Sequence, residues 1–162
     1  MTTRKAFPAL RPIGPRDAAA VAALIRIAFA AQSVATDPPP SAIRVTTADV
    51  AAHLLTGSGA VAEAHGELAG SALWVEQEGG LYLGRLAVAP AWRGHGIAKA
   101  LVAAAEAAAL QMRLPRVHLS TRLPLLDNRR LFAACGFVET TRHAHPGYAE
   151  ATFVNMEKRL VP

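Results

Sequence analysis

Apolar positions along this chain change their spacing several times, and each change marks a new element. After a short strand over 7–13 and the turn Pro15-Arg16-Asp17, Val21, Leu24, Ile25, Ala28 and Phe29 recur at helical spacing. They predict an amphipathic first helix with Asp17 as its N-cap. Periodicity lapses over 32–44, where Asp37-Pro38-Pro39-Pro40 predicts a semi-rigid loop. Thr46 or Thr47 then caps a second helix with Asp49 in its first turn, Val50, Leu54 and Leu55 as its apolar side, and Gly57 as its end. Residues 60–64 and 68–76 alternate as strands joined at His65-Gly66-Glu67, and 77–80 turns the chain into another strand over 81–88. Alternation puts Tyr82, Gly84 and Leu86 on one face of that strand, with Gly84 leaving room for a substrate.

The period then returns to that of a helix. Ile97, Leu101, Ala105, Ala108 and Met112 predict a long Ala-rich helix that stops at Pro115, with Arg113 near its negative end. A strand over 116–121 follows, parallel to the preceding one because a helix connects them. Asp127 or Asn128 caps a short helix through Cys135, with Gly136 as its stop, and 137–143 and 151–159 are the last strands. No repeat or linker divides the chain, so a single domain over 1–162 is expected. Its class is α/β (α+β), with a mixed, mostly antiparallel sheet of about seven strands and about four helices.

Composition narrows the classes of function. With 52% hydrophobic and 18% charged residues in 162, the chain can bury a core and is neither disordered nor fibrous. The net charge of +5 is spread along the sequence, without Lys/Arg runs longer than two or aromatics interleaved among them, so no nucleic-acid partner is expected. A polyanionic ligand accounts for part of the surplus. Cys135, the single cysteine, excludes an internal disulfide and a cysteine-based metal cluster, and no metal is expected. The N-terminus lacks the apolar core of a signal peptide, and the apolar run 100–105 is too short for a membrane span. A reducing cytoplasm, with no membrane partner, is the expected location.

The start of the long helix carries the chemistry. Its first N–H groups lack intrahelical partners, yet no Ser, Thr, Asp or Asn stands between Val88 and Leu101 to cap them. Arg93 and Lys99 bring positive charge to the positive end of the helix dipole, where carboxylates are favoured by roughly 0.3–1 kcal/mol each. Both features make sense if a multiply charged anion accepts from the amides of Gly94 to Ala98 and pairs with the two cations. A P-loop is excluded, since Gly96 is followed by Ile97, Ala98 and Lys99 instead of Lys-Ser/Thr. A dinucleotide fingerprint is excluded by Lys99 in its third small-residue slot and by Thr121 and Arg122 where an acid should end the next strand.

The pattern Arg/Gln-x-x-Gly-x-Gly/Ala, met by Arg93, Gly96 and Ala98, resembles the acyl-CoA pyrophosphate loop of the GCN5-related N-acetyltransferase (GNAT) superfamily. The resemblance runs from about residue 8 to 160. It includes the strand end Leu86-Ala87-Val88-Ala89-Pro90, the Asn128-led helix ending in Cys135-Gly136-Phe137, and the terminal Phe153-Val154-Asn155-Met156-Glu157-Lys158. It implies a GNAT-like sheet splayed between strands 4 and 5, with the pantetheine arm of acetyl-CoA in the gap. Leu86, Ala87 and Val88 would then bond the pantetheine and thioester. The amides of Arg93, Gly94, His95, Gly96, Ile97 and Ala98, with Lys99 alongside, would hold the pyrophosphate. Asn128 would contact the pantetheine or serve as a plain helix cap.

The implied reaction is direct attack of a neutral amine on the thioester, with an amide N–H near Val88 stabilising the oxyanion. An alkylammonium has a pKa near 10, so a base must take its proton; Glu63, Glu76, Glu78 and Tyr82 are the candidates. Tyr82 stands roughly where some family members carry a glutamate base, and is otherwise an aromatic pocket wall. Phe132 occupies the slot of the tyrosine that often protonates the leaving thiolate, so it would line the cofactor site without supplying a proton. Tyr148 or water would substitute. Cys135 is either an acyl-carrying nucleophile or a buried structural thiol; His143 and His145 either line the acceptor pocket with Tyr148 or belong to an exposed polar loop. The acceptor is an unidentified amine, small molecule or peptide, and the walls over 30–46 and 143–150 contain few carboxylates, Asp37 and Glu150. The alternative to an enzyme is a non-catalytic acyl-CoA-binding or sensory module. Similar proteins frequently dimerise, so a homodimer is compatible with the resemblance.

Overall fold

Two left-handed dipeptides build the antiparallel half of the sheet. His65 (φ 53°) and Gly66 (φ 77°) turn β2 (Ser58–Ala64) into β3 (Glu67–Gln77), and Glu78 (φ 52°) and Gly79 (φ 72°) turn β3 into β4 (Gly80–Val88). Paired positive φ values match the twist of the flanking strands and give tight hairpins. The computed structural model describes residues 6–160; residues 1–5, read above for a leader, lie outside it, as do 161 and 162.

The sheet has seven strands in the order β1-β2-β3-β4-β5-β7-β6, with β1 at Ala9–Pro12, β5 at Arg116–Arg122, β6 at Val138–His143 and β7 at Phe153–Arg159. Every pairing is antiparallel except β4 with β5. Four α-helices cover it: α1 (Ala18–Ala30), α2 (Thr47–His53), α3 (Ile97–Gln111) and α4 (Leu126–Ala134). One core cluster joins α1 and α2 to the sheet through Val21, Ile25, Val50, Val61 and Leu73. The other lies on the opposite face, where Ile97, Leu101 and Ala105 of α3 meet Trp74, Leu83 and Val117. Alanines on the inner side of α3 bring the helix close to the strands, a three-layer arrangement with the sheet in the middle.

Local expectations held where short-range chemistry decides them. Thr46 and Asp49 form a reciprocal cap on α2: Thr46 Oγ1 accepts from the Asp49 amide at 3.1 Å, and Asp49 Oδ2 accepts from the Thr46 amide at 2.9 Å. Four details differ. Asp17 stands at the N-cap position of α1 as expected but its side chain does not cap the helix; its carboxylate is buried and accepts from Gly14 N at 2.7 Å and from Arg11 at 2.8 Å on each oxygen, because an arginine fork outcompetes a lone amide. α2 ends at His53, so Leu55 projects into solvent. α3 closes on Arg113 in the left-handed conformation (φ 57°), and its inner stripe passes to Ala109, leaving Met112 exposed. Within the proline loop, Ser41–Arg44 forms one 3-10 turn.

Candidate active site

β4 and β5 pair only at Leu81 with Val117 and Tyr82 with His118, then part. The parting begins at a β-bulge: on β3 Ala72 alone stands between Ser71 and Leu73, whereas Arg85 and Leu86 stand between their partners Gly84 and Ala87. Arg85 takes the left-handed conformation (φ 50°) and bends β4 away from its neighbour. The extra residue also reverses the alternation. Leu81, Leu83, Leu86 and Val88 pack toward α3 while Ala87 packs toward α1, so Leu86 does not share a face with Tyr82 and Gly84 as expected. Ala89 N–H donates to Ala69 O at 2.8 Å, and by alternation the Val88 N–H points into the opened gap.

At the C-terminal end of β4, a 3-10 turn over Pro90–Trp92 delivers the chain to α3. Gly96 is the N-cap residue in the left-handed conformation (φ 80°), and no side chain caps the helix. Gly94 (φ 77°) is left-handed too, and a Cβ at either glycine would meet nothing within 4 Å, so this mouth is open. The amides are therefore unoccupied by the protein's own side chains, as the sequence pattern requires of an anion seat. Arg93 departs from expectation. Its guanidinium turns away to donate to Ala28 O and Ala31 O, both at 3.1 Å, at the negative end of α1. The His95 ring stays in the loop, with Nδ1 2.9 Å from Arg93 O and 3.1 Å from Trp92 O. Lys99 is exposed on the first turn of α3.

Two cavities flank the splay. One, of about 650 Å³, is lined by Leu86, Ala87 and Val88 of β4, by Arg93, Gly94, Gly96, Ile97, Ala98 and Lys99 of the loop and α3, and by Asn128 and Phe132 of α4. All expected cofactor residues except His95 thus meet in one space. Asn128 is not the α4 cap; Leu125 holds that position without a side-chain bond, and Asn128 faces the cavity from the first turn. Phe132 is buried edge-on against Phe137, ring centroids 5.9 Å apart.

The other cavity, of about 730 Å³, is bounded by α1, the Ser41–Arg44 turn, α2 and the far side of the splay. Leu86, Asn128 and Phe132 line both cavities, so the two join there. Tyr82 lines the second cavity edge-on to His118, with centroids 5.4 Å apart. Glu63 instead pairs with Arg11 at 2.9 Å, and neither Glu76 nor Glu78 lines the chamber. His145 does line it, with Nδ1 bonded to Thr152 Oγ1; burial first, then Arg122, holds its pKa below the usual histidine value. His143 stacks on Phe153 outside the chamber. Tyr148 lines neither cavity, because its hydroxyl donates to Asp37 Oδ1 at 2.5 Å, a bond that raises its pKa. Cys135 is half-buried and burial pushes its thiol pKa up, the signature of a structural thiol. Arg85 and Arg122 also line this second cavity, which sequence spacing did not suggest; only the bulge and the end of β5 bring them there.

The model of the Acetyltransferase (GNAT) family matches residues 20–137. The chain belongs to this family. Solved structures agree in fold. A GCN5-related N-acetyltransferase from Rhodopseudomonas palustris is 22% identical, with 99% of this chain and 100% of that one covered at a TM-score of 0.79. The ribosomal-protein-S18-alanine N-acetyltransferase of Escherichia coli is 16% identical over 93% and 92% at 0.75. A protein from Bacillus anthracis in complex with acetyl coenzyme A is 18% identical over 65% of this chain and 63% of that chain at 0.61. No curated protein matches significantly in sequence. Among the described residues, no helix is long and apolar enough to cross a membrane, and no group of three His, Cys, Asp or Glu could hold a metal ion.

Proposed function

We propose that this chain transfers an acetyl group from acetyl-CoA to an amine, by direct attack across the junction of the two cavities. The observation that carries the reading is the uncapped start of α3 opening into the same cavity as the freed edge of β4. The amides from Gly94 to Ala98 hold the diphosphate, and Lys99 adds a cation on the exposed side. Leu86 and Val88 offer backbone groups to the pantetheine, Ala87, whose backbone faces Ser71 of β3, lines the cavity beside them, and Asn128 faces it from α4. Acetyl-CoA supplies the acetyl thioester; the chain supplies position and proton handling.

In the transfer the amine nitrogen forms the bond to the acetyl carbon, the carbon–sulfur bond breaks, and its electron pair leaves on sulfur. The Val88 N–H points to where the carbonyl oxygen gains charge. His145 is the base best placed by its surroundings: neutral near pH 7, in the acceptor chamber, with the Nδ1–H tautomer toward Thr152 leaving Nε2 to take the ammonium proton. Tyr82 lines the same chamber and can relay that proton through water. Phe132 at the junction offers none, so the thiolate, with a pKa near that of cysteine at about 8.5, takes its proton from solvent. A CoA-release assay with a panel of amines tests the reading. Thiol release with at least one amine is expected, and tight CoA binding without release for any amine, peptide or antibiotic would refute it.

A further inference from the structure

Resting on that reading, one feature of the acceptor chamber narrows the acceptor's chemistry. Two arginines line this chamber, Arg85 from the bulge of β4 and Arg122 from the end of β5, and both are half-buried in its wall. Neither belongs to any ion pair among the described residues. Arg85 donates only to Ser41 Oγ at 3.2 Å, and Arg122 to Pro38 O at 2.5 Å and Pro39 O at 3.4 Å. Each keeps further N–H groups of its five-donor fork for a ligand. Burial is the largest influence on the Arg122 pKa and lowers it, against the opposing pull of Tyr148 and Asp37. Asp49, the one carboxylate in the wall, is engaged with the Thr46 amide, and nearby Asp37 takes the Tyr148 hydroxyl.

We propose that the acceptor is a small amine that also carries a carboxylate, an amino acid with an apolar side chain, its carboxylate held between Arg85 and Arg122. The remaining wall suits the rest of such a molecule, with Phe29, Val45, Val50, Leu73, Leu119 and Phe153 forming an apolar surface. A polycationic acceptor would face two guanidinium groups with a single lining carboxylate, Asp49, to answer them. The same two charges favour the neutral form of a nearby amine, the form that attacks. The acetyl carbon exchanges its bond to sulfur for one to the amino nitrogen, the sulfur leaves with the electron pair, and the ammonium proton passes to His145, giving an N-acetyl amino acid and CoA.

Initial rates at saturating acetyl-CoA, read as free thiol, test this with matched series: leucine, leucinamide and isopentylamine, and phenylalanine, phenylalaninamide and phenethylamine. The free acids should exceed their amides by about 10- to 100-fold in kcat/KM, the range expected of a charge-assisted pair. Arg85→Gln and Arg122→Gln should bring that ratio toward one, chiefly through KM. Because Arg122 also anchors the proline loop, CoA titration calorimetry on both variants shows that they fold and load donor. Amides or plain amines used as well as the acids, or an unchanged ratio in both variants, overturns the inference. Turnover of spermidine or a lysine peptide with the acids refused also overturns it, while leaving N-acetyl transfer standing. No thiol release with any amine overturns both.

Discussion

Arg93 Nη2 donates to the Ala28 carbonyl at 3.1 Å, tying the loop before α3 to the last turn of α1. A second bond, from Nη1 to Ala31 O at 3.1 Å, completes the clamp. The guanidinium satisfies carbonyls that α1 leaves open and puts positive charge at its negative end. Arg93 thus shapes the proposed anion seat from behind. Arg93→Ala is expected to cost about 1–2 kcal/mol of stability even without ligand, since hydrogen bonds from a charged donor are the stronger kind. Chemical denaturation of the ligand-free protein checks this; an unchanged midpoint would return the side chain to a purely ligand-binding role.

Gly70 lets α3 approach the sheet. A Cβ there would lie 2.7 Å from Ile97 Cγ2, 3.1 Å from Ala87 O and 3.1 Å from Leu101 Cδ1. Gly70→Ala must push the first turns of α3 outward, at about 1–3 kcal/mol for an overpacked core. Thermal unfolding and CoA calorimetry should show both stability and affinity reduced, since the displaced turn carries the amides of the seat.

The pair formed by Arg11 and Asp17 makes stability depend on acid. Hydrogen bonding to Arg11 first lowers the Asp17 pKa from 3.8 to about 2. A carboxylate depressed in the folded state stabilises fully above its unfolded pKa and loses that stability as pH falls toward the folded value. Between pH 3.8 and about 2 the protein should therefore lose on the order of 2 kcal/mol from this group. Unfolding free energies of the parent and Asp17→Asn compared across that window should converge at the acid end.

Tyr148 joins the last loop to the proline loop through Asp37, 111 positions away in sequence. With its hydroxyl so committed, Tyr148→Phe should raise the acceptor KM by loosening the chamber and leave kcat within a few-fold. Loss of a true general acid would cost kcat roughly 10²–10⁴-fold, so steady-state kinetics separate the two roles.

The parts of the site visible in the sequence are those made by neighbours along the chain. The strand, turn and helix from Leu81 to Gln111 lie in one stretch, and the missing cap at Gly96 can be read without a fold. What long-range geometry decides stayed hidden. A left-handed arginine at Arg85 has no local signal, yet the bulge it forms reverses the faces of Leu86 and Ala87 and brings a guanidinium into the wall of the larger cavity. Arg93 finds carbonyls more than sixty positions upstream, and Asp17 prefers a fork from β1 to the helix it was expected to cap. The insertion of β7 between β5 and β6 sets where His145 emerges, and periodicity along the chain carries no information on strand order.

The open amides at the mouth of α3 are the seat on which the donor reading stands. Calorimetric titration of CoA into the parent protein, Gly96→Ala and Gly96→Glu examines them. The alanine adds a Cβ that meets nothing within 4 Å and strains a left-handed φ by about 1–2 kcal/mol, so binding should persist on a less stable fold. The glutamate places a carboxylate where the diphosphate must sit, and CoA binding should fall by at least about a hundredfold, as expected for like charges at contact distance. Undiminished CoA affinity in Gly96→Glu would contradict the assignment of this loop.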